Sequence, residues 1–105
     1  MNGRRCATPL LAWVAWVHSA FPSKGLEDWR VSGGAEGLEE CKKNSVTAAR
    51  NVFQRWRARD NPPGATYKLT GTVIDVTFAS GETMSHAFIC LPDTVDPRGP
   101  KAGPK

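Results

Sequence analysis

Between residues 37 and 59 the apolar side chains Leu38, Cys41, Ala49, Val52, Phe53 and Trp56 recur at three- and four-residue steps, which is the spacing of one face of an amphipathic helix. Acids stand at its start (Glu36, Glu39, Glu40) and bases at its end (Arg55, Arg57, Arg59), the order that the helix dipole favours. Asn61-Pro62-Pro63-Gly64 then stops it, because proline supplies no backbone donor and glycine no steric support. One long helix of this kind needs a sheet to receive its apolar stripe.

The rest of the chain supplies strand patterns. Residues 11–17 form a buried strand with Trp13, Ala15 and Val17 on one face and Val14 and Trp16 on the other. Residues 21–28, with Pro22, Lys24 and Gly25, read as a loop. Residues 29–32 alternate as a second short strand that Gly33-Gly34 breaks. Thr72, Ile74, Val76 and Phe78 alternate with Val73, Asp75 and Thr77, so a strand runs through residues 67–78 with a kink at Gly71. A turn at residues 79–82 returns the chain along residues 83–90, completing a hairpin. If Cys90 faces the helix, Met84, His86 and Phe88 share that face by the two-residue period. The expected fold is a small α+β domain: a mainly antiparallel sheet of three or four strands packed on one long helix, in the order β-β-α-β-β. It occupies residues 10–92. Residues 1–9 form an amino-terminal segment, the remnant of an export leader. Residues 93–105, rich in proline and glycine, form a flexible tail.

The length of 105 residues allows one domain and excludes a two-domain enzyme. A chain of this size buries roughly 60 to 65% of the surface its unfolded form exposes, so a cross-link would help its core. Three cysteines are present, and their spacing fits neither a redox nor a zinc pattern. Cys41 falls on the apolar face of the helix and Cys90 ends the last strand, so the two can meet. A bridge closing a loop of about 50 residues stabilises by roughly 4 kcal/mol in the chain-entropy model. Two buried free thiols are the alternative, and Cys6 is left over.

The amino terminus reads two ways. Arg4 and Arg5 followed by the apolar stretch 6–17 and then Ser19 and Ala20 resemble a signal peptide. The alternation from Trp13 to Val17 makes the same residues a core strand, and the strand is favoured over the leader. The apolar run is too short, and too interrupted by Pro9 and His18, to span a membrane.

Candidate chemistry is sparse. His18, His86, Cys41 and Cys90 are the residue types of a zinc site, but positions 86 and 90 of one strand lie about 13 Å apart, too far for one tetrahedral ion. Cys90, His86 and Asp75 or Asp93 could be assembled into a catalytic triad only by name, with no nucleophile elbow or phosphate loop beside them. No catalytic residue, metal ligand or cofactor is assigned, and an enzyme is the least favoured class. The net charge of +4 weakly favours an anionic partner. Arg50, Arg55, Arg57 and Arg59, with Trp56 among them, are the nucleic-acid candidates, although the helical phase puts Trp56 in the core stripe. One helix covers one face of a small sheet, so Trp13 or Trp16 is left uncovered as a contact for a protein or small-molecule partner, or for a second copy of the chain. The loop at 21–28 folding over that indole is the alternative.

At the carboxyl end, Cys90-Leu91-Pro92-Asp93-Thr94-Val95-Asp96-Pro97-Arg98-Gly99-Pro100-Lys101 resembles the ending of a group of small, uncharacterised bacterial proteins, many of which begin with an export signal. Trp13 to Val17 and the run Glu39-Glu40-Cys41 extend the likeness loosely. The resemblance implies export and adds to the case for a Cys41 to Cys90 bridge; it implies no chemistry. The chain departs from the group at its start, where the leader is missing or shortened to residues 1–11. The function expected is that of a non-enzymatic binding or interaction domain, disulfide-stabilised and periplasmic or secreted. The alternative is a cytoplasmic nucleic-acid-binding module that uses the basic end of the helix.

Overall fold

The computed structural model describes residues 12–59 and 63–99. Along the chain these are β1 (Trp13–Phe21), a 3-10 turn (Pro22–Lys24), β2 (Leu26–Ala35), α1 (Leu38–Arg59), β3 (Thr66–Thr70), β4 (Val73–Thr77) and β5 (Thr83–Pro92). The strands make one sheet in the order β2-β1-β5-β4-β3, with every adjacent pair antiparallel. The α+β class and the single long helix are as the sequence predicts. Cys6 and the leader-like start lie outside the described residues.

The sheet has five strands, not three or four. The extra strand comes from residues 67–78, which form the hairpin β3–β4 instead of one kinked strand. Thr70 faces Val73 across a two-residue loop, and Gly71 takes φ +61° there. A positive φ at the first loop position belongs to the hairpin turns whose twist matches that of the flanking strands. The start of the chain also differs from expectation. β2 is ten residues long, and only the 3-10 turn and Gly25 separate it from β1. Gly33 and Gly34 do not break it: they pair with Ala15 and Val14, and a bulge between there and the Trp16↔Val31 pair absorbs one residue.

The two-residue period then distributes side chains between the faces. Ala15 and Val17 of β1, His86, Phe88 and Cys90 of β5, and Ile74 and Val76 of β4 face α1. The helix meets them with Cys41, Ala49, Val52 and Phe53. Ile74 and Ala49 are fully buried. The small side chain of Ala49 lets the helix approach the middle of the sheet, while the larger Phe53 and Trp56 reach over β3 and β4. A disulfide joins Cys41, in the first turns of α1, to Cys90 near the end of β5, 49 positions along the chain. It ties one end of the helix to the sheet, and Ala15, Ala35 and Trp13 pack around it.

The opposite face is not bare. Trp16 retains 4% of its exposure. Trp29 meets it edge-on at 6.5 Å, and the Arg98 guanidinium lies 5.1 Å from its ring centre. The cover comes from the segment after β5, not from the loop at 21–28. In that segment Asp93 donates its N–H to the Ala12 carbonyl at 3.0 Å, and turns close at Val95 onto Pro92 and at Gly99 onto Asp96. The folded unit therefore reaches past residue 92, and the first half of the expected flexible tail, residues 93–99, is structured.

Candidate functional site

A single helix cannot cover five strands. α1 packs most closely on β5; on the edge strand β2 Ala35, at the end, packs beside Cys41, and most of the strand's other residues are exposed. Between the helix and β2 this leaves a cleft of about 420 Å³, within the size range of small-ligand sites. Its floor is apolar, made of Val17 and Phe88 of the sheet with Ala48 and Val52 of the helix. Its mouth carries polar groups, Arg30 and Ser32 from β2 facing Asn51 and Arg55 from α1, with the exposed Val31 beside them. Arg30 reaches this side because its backbone pairs with Val17, placing both side chains on the helix face. Asn51 and Arg55 are one turn apart on the same flank of the helix.

Charge at the mouth is unevenly compensated. The Arg30 Nε donates to Asp28 Oδ2 at 3.0 Å across exposed side chains. Arg55 has no ion pair among the described residues. At the back of the cleft His86 is nearly buried. Burial, and after it the positive charge of Arg30, hold its imidazole below the ordinary value, so the ring is neutral at pH 7.

His86 stands in register with Ser19 across β1 and β5, and Ser19 Oγ and His86 Nδ1 share a hydrogen bond of 2.8 Å. Trp56 and Phe88 pack edge-on against the imidazole at 4.9 and 5.5 Å. Among the described residues no carboxylate is bonded to the ring. A serine and histidine paired in this way lack the orienting acid of a nucleophilic triad. The pair satisfies two polar groups in the core, the structural role expected of a buried histidine. The named triad is also not assembled. The Cys90 sulfur is in the disulfide, and Asp75 alternates with Ile74 and Val76 and so points away from the helix. No sequence signal marks the Ser19–His86 pair, since it depends on the register between strands far apart in the chain.

The remaining sequence candidates fall in separate places. Trp16 is buried beneath Arg98 and Trp29, so it is not the exposed contact expected of it. Trp13 is half-buried against the disulfide cluster. His18 lies on the face opposite His86, bonded to Glu27 at 2.5 Å and lying against Trp29. Arg50, Arg55, Arg57 and Arg59 are exposed, as expected. At 100° per residue Arg50 and Arg57 point to one flank of α1, and Arg55 and Arg59 to the other. Trp56, half-buried against Tyr67 and His86, is taken up by packing. The four arginines therefore form no single strip with an aromatic ring open to a base. Among the described residues no group of three or more metal-ligating side chains converges, and no helix is long and apolar enough to cross a membrane.

The fold and site define a class: a small disulfide-bridged α+β domain with an arginine-lined cleft between its helix and the edge of its sheet. Comparison with protein-family models, curated proteins and solved structures finds no match.

Proposed function

We propose that this chain is a non-enzymatic binding domain, stabilised by the Cys41–Cys90 disulfide and working outside the cytoplasm, that takes a small ligand in the cleft between α1 and β2. The observation that carries this reading is the cleft itself, which sets an apolar floor beneath convergent polar groups. The alternative contact, the sheet face around Trp16, is already occupied by the protein's own Arg98. Export is supported by the disulfide, since such bridges persist in oxidising compartments. The likeness of the carboxyl end to small, often exported bacterial proteins supports it as well.

Amide shifts of the labelled protein, followed by NMR against a panel of charged and neutral small molecules and a single-stranded oligonucleotide, test this reading. Shifts grouped at Arg30, Ser32, Asn51 and Arg55 with a small molecule are expected. Shifts with the oligonucleotide that spread over Arg50, Arg57 and Arg59 and weaken steeply with salt would favour nucleic-acid binding instead.

A further inference from the structure

The cleft has a floor and a mouth of different chemistry, and each restricts the ligand. Val17 and Phe88 are almost wholly buried below it, with Val52 and Ala48 on the helix side. Such a floor rewards an apolar body and gives no partner to a polar one. The mouth holds two guanidinium groups, and one of them is already matched. Arg30 gives its Nε to Asp28 at 3.0 Å, and Arg55 has no ion pair among the described residues. With His86 neutral, Arg30, Arg55 and Asp28 sum to one net positive charge. A neutral ligand closing over the mouth would remove water from Arg55 and leave that charge without a counterion. A doubly charged phosphate would bring its second charge toward the Asp28 carboxylate. A single carboxylate balances the sum, and its planar pair of oxygens fits a guanidinium fork. Ser32 and Asn51, also at the mouth, can donate to the same oxygens.

We infer that the cleft takes a small amphipathic carboxylate, its head held by Arg55 and Arg30 and its apolar body lying over Val17, Val52 and Phe88. This rests on the reading of the cleft as the binding site, and the test separates the two.

Decanoate and its neutral counterpart decanamide, kept below the concentrations at which either self-associates, are titrated by calorimetry into the full chain and into Arg55→Ala and Arg30→Ala. Arg55 is exposed and outside the core, so its variant is expected to fold, which circular dichroism checks. The expected result is saturable decanoate binding that weakens about tenfold or more in Arg55→Ala, with decanamide bound more weakly than decanoate by the wild type. Decanamide binding as tightly as decanoate would overturn the carboxylate while leaving the cleft as the site. Decanoate binding that neither variant weakens would place the ligand elsewhere and overturn the proposal. If neither compound binds, the carboxylate proposal is overturned, and the cleft is then decided by the amide shifts with the small-molecule panel.

Discussion

The guanidinium of Arg98 stands 5.1 Å from the centre of the Trp16 ring, on the face of the sheet that the helix does not reach. Arg98 is itself held by Asp96, through bonds of 2.9 and 2.8 Å from Nε and Nη2 to the two carboxylate oxygens. A cation over an indole face is attracted by the ring quadrupole, and the pair with Asp96 fixes the cation in place. The residues after β5 thus complete the fold by capping its second face.

Removing the cap should expose the indole. In Arg98→Ala the Trp16 emission shifts to the red and becomes more accessible to acrylamide, read in a background where the other three tryptophans are phenylalanine. An unchanged Trp16 signal would mean that the segment does not cover the ring in solution.

Trp16 also buries its Nε1–H without an acceptor among the described residues. A buried unsatisfied donor costs about 1 to 3 kcal/mol, which phenylalanine would not incur. Trp16→Phe is therefore expected to cost less than about 1 kcal/mol in urea unfolding, against about 3 to 5 kcal/mol for Trp16→Ala. Equal losses for the two variants would show that the indole N–H is satisfied.

The bridge between Cys41 and Cys90 closes a loop with a separation of 49 residues. In the chain-entropy model its removal in the double variant Cys41→Ala, Cys90→Ala lowers stability by about 4 kcal/mol, a large part of what a small domain has. A loss below about 1 kcal/mol would mean that the bridge does not constrain the unfolded chain.

Gly71 separates two strands from one. A Cβ added there meets no atom within 4 Å, so Gly71→Ala is strained only through the positive φ, at about 1 kcal/mol. Gly33 has the same open surroundings and no positive φ, so Gly33→Ala should be close to neutral. A neutral Gly71→Ala would argue against the β3–β4 turn.

The lowered pKa of His86 makes stability depend on pH with a definite sign. Burial, and then Arg30, disfavour the charged ring, so below its ordinary value of 6.5 the unfolded chain binds a proton more readily than the folded one. Stability is fully present above pH 6.5 and is lost as the pH falls through the folded value. The neighbours of the ring are Ser19, Trp56, Phe88 and Arg30, and none is a carboxylate that would reverse the sign. Urea unfolding between pH 7.5 and 5 should slope less in His86→Phe than in the wild type. The same slope in both would assign the effect to other groups.

What could be read in advance follows from which signals are local. α1 is a periodic pattern with charged ends and a proline stop, and it begins within one residue of the expected start. The hairpin β4–β5 and the helix-facing set His86, Phe88 and Cys90 follow from strict alternation. The middle of β2, residues 29–32, is legible from its alternation, but the strand is mostly exposed, so no buried face marks its full length from Leu26 to Ala35. The β3–β4 turn did leave a trace: the apolar positions change from odd (Tyr67, Leu69) to even (Ile74, Val76) across Gly71, which a continuous strand would not do. The cleft was not legible, since it brings together β2 and α1 through the order of strands. Its residues Arg30 and Asn51 carry no motif, and Arg55 stood out only as one base among several.

The position of the ligand decides between the cleft and any other surface of the domain. Intermolecular NOEs between the chain protons of decanoate and the methyl groups of the labelled protein measure this directly. Contacts to Val17, Ala48 and Val52 are expected. Contacts confined to Leu26 or Val95, exposed apolar side chains away from the cleft, would contradict it.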